Sequence, residues 1–214
     1  MTKFATPLGE IAITVLGHAS LLIRWEGRNI FVDPYAKVAD YSKQPVADLI
    51  LVTHHHYDHL DKFAISKIAA AGTEFVASSL AAKELDGSTA LKIGEECFYE
   101  AIQIKAVYAY NVENKADNGL PFHPKGEGNG YILNFGGFRV YIAGDTELIP
   151  EMKELGKIDL AFLPKNLPYT MSDDMFIKAV ETVMPVNLIP YHYFELNERE
   201  IAKRLPKGVT MHVK

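Results

Sequence analysis

Four of the eight histidines fall in the six-residue span from His54 to His59, within the run Thr53-His54-His55-His56-Tyr57-Asp58-His59. In an extended segment, side chains two residues apart point the same way, so His54 and His56 can present two imidazoles to one cation. Asp58 and His59 follow where the chain turns, and a carboxylate with a third imidazole there can reach a second ion close to the first, as a two-metal hydrolase requires. His55 points away in this pattern and takes no ligand role. Imidazoles and carboxylates at such spacings are the usual ligands of zinc and similar ions. A solvated histidine tract belongs at a terminus, whereas this one is internal and includes an aspartate. It also follows a continuous apolar run, Asp48-Leu-Ile-Leu-Val-Thr53, and precedes a helix cap at Asp61.

The elements that must hold this cluster read as strands first. Glu10-Ile-Ala-Ile-Thr-Val-Leu16 and Ser20-Leu-Leu-Ile-Arg-Trp-Glu26 are β-rich runs, and Gly27-Arg28 makes a turn into Ile30-Phe-Val-Asp33, which Pro34 stops. The apolar run 48–53 predicts a strand covered on both faces, with the histidines at its C-terminal end. Asp61 is a cap for a helix over 62–71, with Gly72 as its stop; 79–85 predicts a second short helix, and 74–77 a buried strand between them. Strands follow over 101–110, 130–135 and 138–143, the last two joined by a Gly136-Gly137 hairpin. The polar, glycine-containing segment 111–129 is a long loop, a length that usually signals function. Then come a strand over 158–163, a helix capped by Ser172 that runs through Val183 and is ended by Pro185, a strand over 186–190, and a terminal helix over 198–205. Asn197 and Glu200 form a capping box for that last helix. The architecture expected is α/β: two β-rich halves with mixed sheets and helices outside.

Size and composition bound the rest. A chain of 214 residues, 48% of them hydrophobic, fits one domain spanning 1–214 with a substantial core. The net charge of −5 disfavours nucleic acid, whose phosphates call for a basic face. The single cysteine, Cys97, excludes an intramolecular disulfide framework and a cysteine-rich zinc site, and fits a reducing, cytoplasmic compartment. Residues 1–9 carry no apolar core of signal-peptide length, and no stretch approaches the roughly 18 apolar residues of a membrane span. A homo-oligomer is the base-rate expectation, though no residue selects one.

His54-x-His56-x-Asp58-His59 resembles the His-x-His-x-Asp-His motif of the metallo-β-lactamase-fold hydrolases. Tyr141-Ile-Ala-Gly-Asp145-Thr146 is similar to that family's strand-end Gly-Asp-Thr, and Pro190-Tyr-His192-Tyr193 to its late strand-end histidine. Gly17-His-Ala-Ser20 and Val32-Asp-Pro34 look like segments of the subgroup that includes the L-ascorbate-6-phosphate lactonase-like hydrolases. The resemblance runs from about residue 10 to 194. It implies a four-layer αβ/βα sandwich of two mixed β-sheets with outer helices, and two divalent metal ions, zinc first, with manganese or iron as alternatives. By position it implies His54 and His56 at the first metal, Asp58, His59 and His192 at the second, and Asp145 bridging. Without it, Asp145 reads as a turn-forming residue.

The sequence departs from the family at one point. Where a mid-chain histidine usually completes the first site, this chain has Asn111, a weaker ligand for zinc-like ions. His123, in Pro121-Phe-His-Pro124, is an alternative ligand or a substrate contact. His18 is a candidate for lining the pocket, and Lys165 or Lys125 for contacting an anionic group, although surface placement is the commoner state of both lysines. Tyr108, Tyr110, Tyr169 and Tyr191 are read as packing residues first.

The expected reaction is hydrolysis of a small, anionic ester, lactone or phosphoester by a metal-bound hydroxide, with Asp58 orienting the nucleophile and His123 or Tyr193 protonating the leaving group. Three other readings stand beside it: a metal-binding protein that keeps the fold without turnover, an iron-containing oxidoreductase and an RNA-processing nuclease.

Overall fold

The computed structural model describes residues 1–213. The first half lays down β1 (Thr2–Thr6), β2 (Gly9–Gly17), β3 (Ser20–Trp25), β4 (Arg28–Val32), β5 (Leu49–Val52), α1 (Lys62–Ile68), β6 (Glu74–Ser78) and β7 (Thr89–Leu91). The second half has β8 (Glu96–Tyr99), β9 (Ile102–Ala109), β10 (Gly128–Phe135), β11 (Phe138–Ile142), β12 (Leu160–Pro164), α2 (Asp173–Val183), β13 (Asn187–Tyr191), α3 (Glu198–Arg204) and β14 (Thr210–Met211). Each half makes a seven-stranded sheet on the same plan: four antiparallel strands, then three added in parallel. Parallel neighbours need crossovers, and α1, α2 and α3 supply three of them.

Period-two alternation sorts the side chains into three cores and hence four layers. Leu49 and Leu51 of β5 and Leu160 and Phe162 of β12 meet between the sheets, with Ile23, Ile104 and Leu133. Ile50 and Val52 face outward onto α1 through Ile65 and Ile68. Ala161 and Leu163 face outward onto α2 and α3 through Phe176, Val180 and Ile201. The apolar runs are therefore unbroken because both faces are covered, and the αβ/βα sandwich is the architecture observed.

Several boundaries differ from those expected. The first helix ends at Ile68 rather than 71, because Ala69 turns extended and the Ala47 N–H takes the Ile68 carbonyl. Residues 79–85 hold only a 3-10 turn, Ala81–Glu84. The long helix, by contrast, runs through Val183 ahead of Pro185 as expected, with Met184 left-handed (φ 48°), since the residue before proline disfavours helical backbone. Half of the capping box forms: the Glu200 N–H donates to the Asn197 side chain, while the Glu200 carboxylate pairs with Lys203. Strands β1, β7, β8 and β14, two to five residues long, are too short to announce themselves. Among the described residues no helix is long and apolar enough to cross a membrane.

Candidate metal centre

The parallel strands end together, and the chemistry sits at those ends. Beyond β5 the chain continues into Thr53 and His54, beyond β4 into Asp33, beyond β11 into Asp145, and beyond β13 into His192. The two sheets are stitched at this edge. The Tyr131 hydroxyl donates to Val52 O (2.8 Å), Asn129 N–H to Thr53 O (2.9 Å), and His192 N–H to His18 O (2.9 Å). His18, Asp33 and His192 all hold left-handed backbone (φ 49°, 43° and 53°). Such conformations cost roughly 1–3 kcal/mol each in non-glycine residues and concentrate at functional sites.

The side chains converge in overlapping sets. The ligand atoms of His54, His56 and His123 lie within 4.8 Å of one another, as do those of His18, Asp58, His59 and His192, and those of His54, His59 and Asp145. Asp145 stands between: Oδ2 is 3.3 Å from His123 Nε2 and 3.1 Å from His192 Nε2, and Oδ1 is 3.4 Å from His59 Nε2. All six residues singled out as ligands in the sequence thus meet at one place, and His123 joins them.

The surrounding hydrogen bonds aim the imidazoles. Thr53 Oγ1 donates to Asp33 Oδ2 (2.6 Å), which leaves its lone pair to accept from His54 Nδ1–H (3.0 Å). Asp33 Oδ2 also accepts from His59 Nδ1–H (2.8 Å), and Asn111 Oδ1 from His123 Nδ1–H (2.7 Å). In each case the proton sits on Nδ1 and Nε2 turns inward, the orientation that outer partners impose on metal-binding histidines. The Asn166 side-chain amide meets His192 Nδ1 at 3.4 Å.

Electrostatics favour the neutral form at His54 and His56 and the charged form at His59 and Asp145. Burial, together with neighbouring histidines, pushes His54 well below the usual imidazole range and His56 down to about 4, so both are neutral at pH 7. Burial also opposes the charged forms of His59 and Asp145. The Asp145 and Asp33 carboxylates outweigh it at His59, holding the imidazole well above its ordinary value; His192 and His59 outweigh it at Asp145, holding the carboxyl well below. Asp58, against the same burial, is lowered to about 2, chiefly by its hydrogen bond from His18 Nε2 (3.1 Å).

A divalent cation fits these residues on one observation. His54 Nε2, His59 Nε2, His192 Nε2 and Asp145 Oδ1 are buried without a hydrogen-bond partner. Native proteins seldom leave buried polar atoms unpaired, and four of them converging is the signature of an ion's place. The donor set of imidazoles and carboxylates suits zinc and its neighbours.

Other expected site residues go elsewhere. Asn111 does not offer its side chain to the donor sets: its Oδ1 is taken by His123, and its Nδ2 donates to Glu147 Oε1 (3.0 Å) and Tyr169 O (2.9 Å). Lys165 pairs with Asp173 (2.7 Å) and Lys125 with Glu151 (2.6 Å), both nearer carboxylates than anything in the cavity. His123 has both nitrogens committed, and Tyr193 does not line the cavity, so neither is placed to protonate a leaving group. His18 does line it, its ring 3.8 Å from that of His192. His55 lines it as well, contrary to the alternation argument, because the chain leaves the extended conformation after Thr53. Tyr108 and Tyr110 meet edge to face outside the cavity lining, and Tyr191 is core, whereas Tyr169 reaches the cavity.

Sequence reasoning missed Asp33, Thr53, Glu147 and Asn166. Asp33 had a signal, an acid ending an apolar strand ahead of a proline. Glu147 had none: it accepts the N–H groups of Val112, Glu113 and Asn114 (2.7, 2.6 and 2.8 Å), a role visible only once the loop is folded.

The comparisons agree with this geometry. A model of the beta-lactamase superfamily domain matches residues 12–192. A UPF0173 metal-dependent hydrolase of Thermus thermophilus is 31% identical over 194 residues, 86% of this chain and 84% of its own. Another from Thermococcus kodakarensis is 34% identical over 196 residues, with 86% and 84% covered. A crystal structure from Parabacteroides distasonis, described as a candidate metal-dependent hydrolase, superposes with a TM-score of 0.94 at 42% identity, covering 100% of this chain and 97% of that one. With its histidine motif, its shared aspartate and its two-sheet sandwich in place, the chain belongs to the beta-lactamase superfamily and, within it, to the UPF0173 metal-dependent hydrolases.

Proposed function

We propose that the enzyme hydrolyses a small ester, lactone or phosphoester at a pair of divalent cations, zinc by preference, with manganese or iron as alternatives. The observation that carries this is the set of unpaired Nε2 atoms arranged around one shared carboxylate, Asp145. His54, His56 and His123 would hold the first cation, Asp58, His59 and His192 the second, with Asp145 between them. Bound there, the cations supply Lewis acidity and lower the pKa of a shared water toward neutrality.

The chain's own residues do the rest. Asp58, kept ionised and held in place by its hydrogen bond from His18, would orient the attacking water while also serving as a ligand. Asn111 and Asp33 keep Nδ1 of His123 and His59 protonated, so that neither ring can turn its lone pair away. The segments Gly17-His-Ala-Ser20 and Val32-Asp-Pro34 support a place near the lactonase-like members, and the lone Cys97 supports a reducing, cytoplasmic setting.

The test is metal analysis of untagged protein, joined to a screen of ester, lactone and phosphoester substrates before and after chelation. About two equivalents of metal per chain, and hydrolysis restored by adding them back, are expected. Less than half an equivalent with no hydrolysis would overturn the proposal, and tight iron without hydrolysis would turn it to redox chemistry.

A further inference from the structure

The cavity above the donor sets encloses about 540 Å³. Its floor is polar, made by the histidines and by Asp58 and Asp145. Its upper wall is different: Tyr57, Phe122, Tyr169 and Phe194, brought in by four separate loops, place four aromatic rings around it. Phe194 is 77% exposed and Tyr57 71%, so these rings are not there to fill the core. Phe122 and Tyr169 form an edge-to-face pair with centroids 5.0 Å apart, the geometry with which one aromatic ring receives another.

No lysine or arginine is among the described residues lining this cavity. Of the nearby cations, Lys165 is held on Asp173 and Lys125 on Glu151, while Lys37 is absent from the lining and sits at its edge, over the rings of Tyr35 and Tyr57. A substrate with a second anionic group, such as a sugar phosphate, would meet aromatic faces there and no lysine or arginine in the lining. Sites that recognise phosphate or carboxylate normally present arginine or lysine to it.

Resting on the hydrolase reading above, we infer that the substrate is an uncharged carboxylic ester or lactone carrying a flat aromatic arm, which the Tyr57, Phe122, Tyr169 and Phe194 rings hold while the scissile carbonyl lies at the donor sets. This points away from the anionic class that the sequence suggested. It also explains why Asn111 donates to the Tyr169 carbonyl: the same residue that aims His123 holds the loop carrying the aromatic wall.

Two readouts on the metal-loaded enzyme test it. In the first, kcat/KM is compared for methyl 3-phenylpropanoate and monomethyl succinate, which share a methyl ester and differ in the arm. At least a tenfold preference for the phenyl compound is expected, carried by KM. In the second, binding of 3-phenylpropanehydroxamic acid and acetohydroxamic acid is measured by calorimetry, because a hydroxamate grips the cations without being hydrolysed. The phenyl arm is expected to tighten binding at least tenfold, and the variants Phe194→Ala and Tyr169→Ala to bring that ratio toward one; acetohydroxamate binding reports that each variant's centre is intact. Equal binding of the two hydroxamates, or preference for succinate, overturns the aromatic-arm inference while leaving hydrolysis standing. Phenyl-dependent binding without hydrolysis of any ester sustains the aromatic site and overturns the hydrolase reading.

Discussion

Asn111 and His123 are joined three times: the Asn111 side-chain oxygen accepts both the backbone N–H of His123, at 2.9 Å, and its Nδ1–H, at 2.7 Å, and the Asn111 backbone N–H donates to the His123 carbonyl at 2.9 Å. The position where the family usually carries a metal-ligating histidine therefore keeps a hand in the site by aiming another one. Replacing Asn111 with Ala should weaken metal binding at the first donor set by about 10–100-fold while the second set keeps its ion. Competition with a chromophoric chelator measures both affinities, and two unchanged affinities would refute the aiming role.

Asp33 does for His59 what Asn111 does for His123, and adds charge. In metal-free protein, Asp33→Asn should lower the His59 pKa, since one of the two carboxylates that raise it becomes neutral. The same change should weaken the second metal about tenfold. An NMR titration of the histidine ring protons would follow the shift, and an unmoved or rising pKa would refute the argument.

Glu147 is buried and collects four N–H donors, three from the backbone at 112–114 and one from Asn111. Although burial opposes its charge, these bonds hold its pKa below the ordinary value of 4.5. A carboxylate depressed in the folded state stabilises it fully above the unfolded pKa and loses that contribution as pH falls through the folded one. Glu147→Gln should therefore cost about 2 kcal/mol at pH 7 and progressively less below about pH 4.5. Urea melts across that range would show the gap narrowing with acid; a gap that widens would contradict the sign.

Gly144 precedes the shared aspartate at φ +67°, and a Cβ built there would stand 2.7 Å from the Asn129 carbonyl oxygen. Gly144→Ala combines a left-handed backbone with that clash, so a loss of about 1–3 kcal/mol is expected. Because the strain falls one residue from Asp145, metal content should drop along with the melting temperature. A variant that melts lower yet binds full metal would separate the fold from the site.

The histidine motif, the strand ending in Thr53 and the long helix starting after Ser172 were legible because each is local. Side chains two apart in a strand share a face, apolar runs mark doubly covered strands, and a serine with acids behind it caps a helix. The tie of Asp145 and His192 to that motif came from resemblance, since nothing between residues 59 and 192 says that three strand ends will meet. Short edge strands such as Thr2–Thr6 and Thr210–Met211 gave no signal, for they bury too little to need a pattern. Tertiary structure alone decided that His123 rather than Asn111 faces the donor sets, that Glu147 anchors the intervening loop, and that Lys165 and Lys125 turn to carboxylates outside the cavity. Residue type and spacing say what a side chain is able to bind; which partner it binds depends on packing two sheets face to face, which brings together atoms separated by most of the chain.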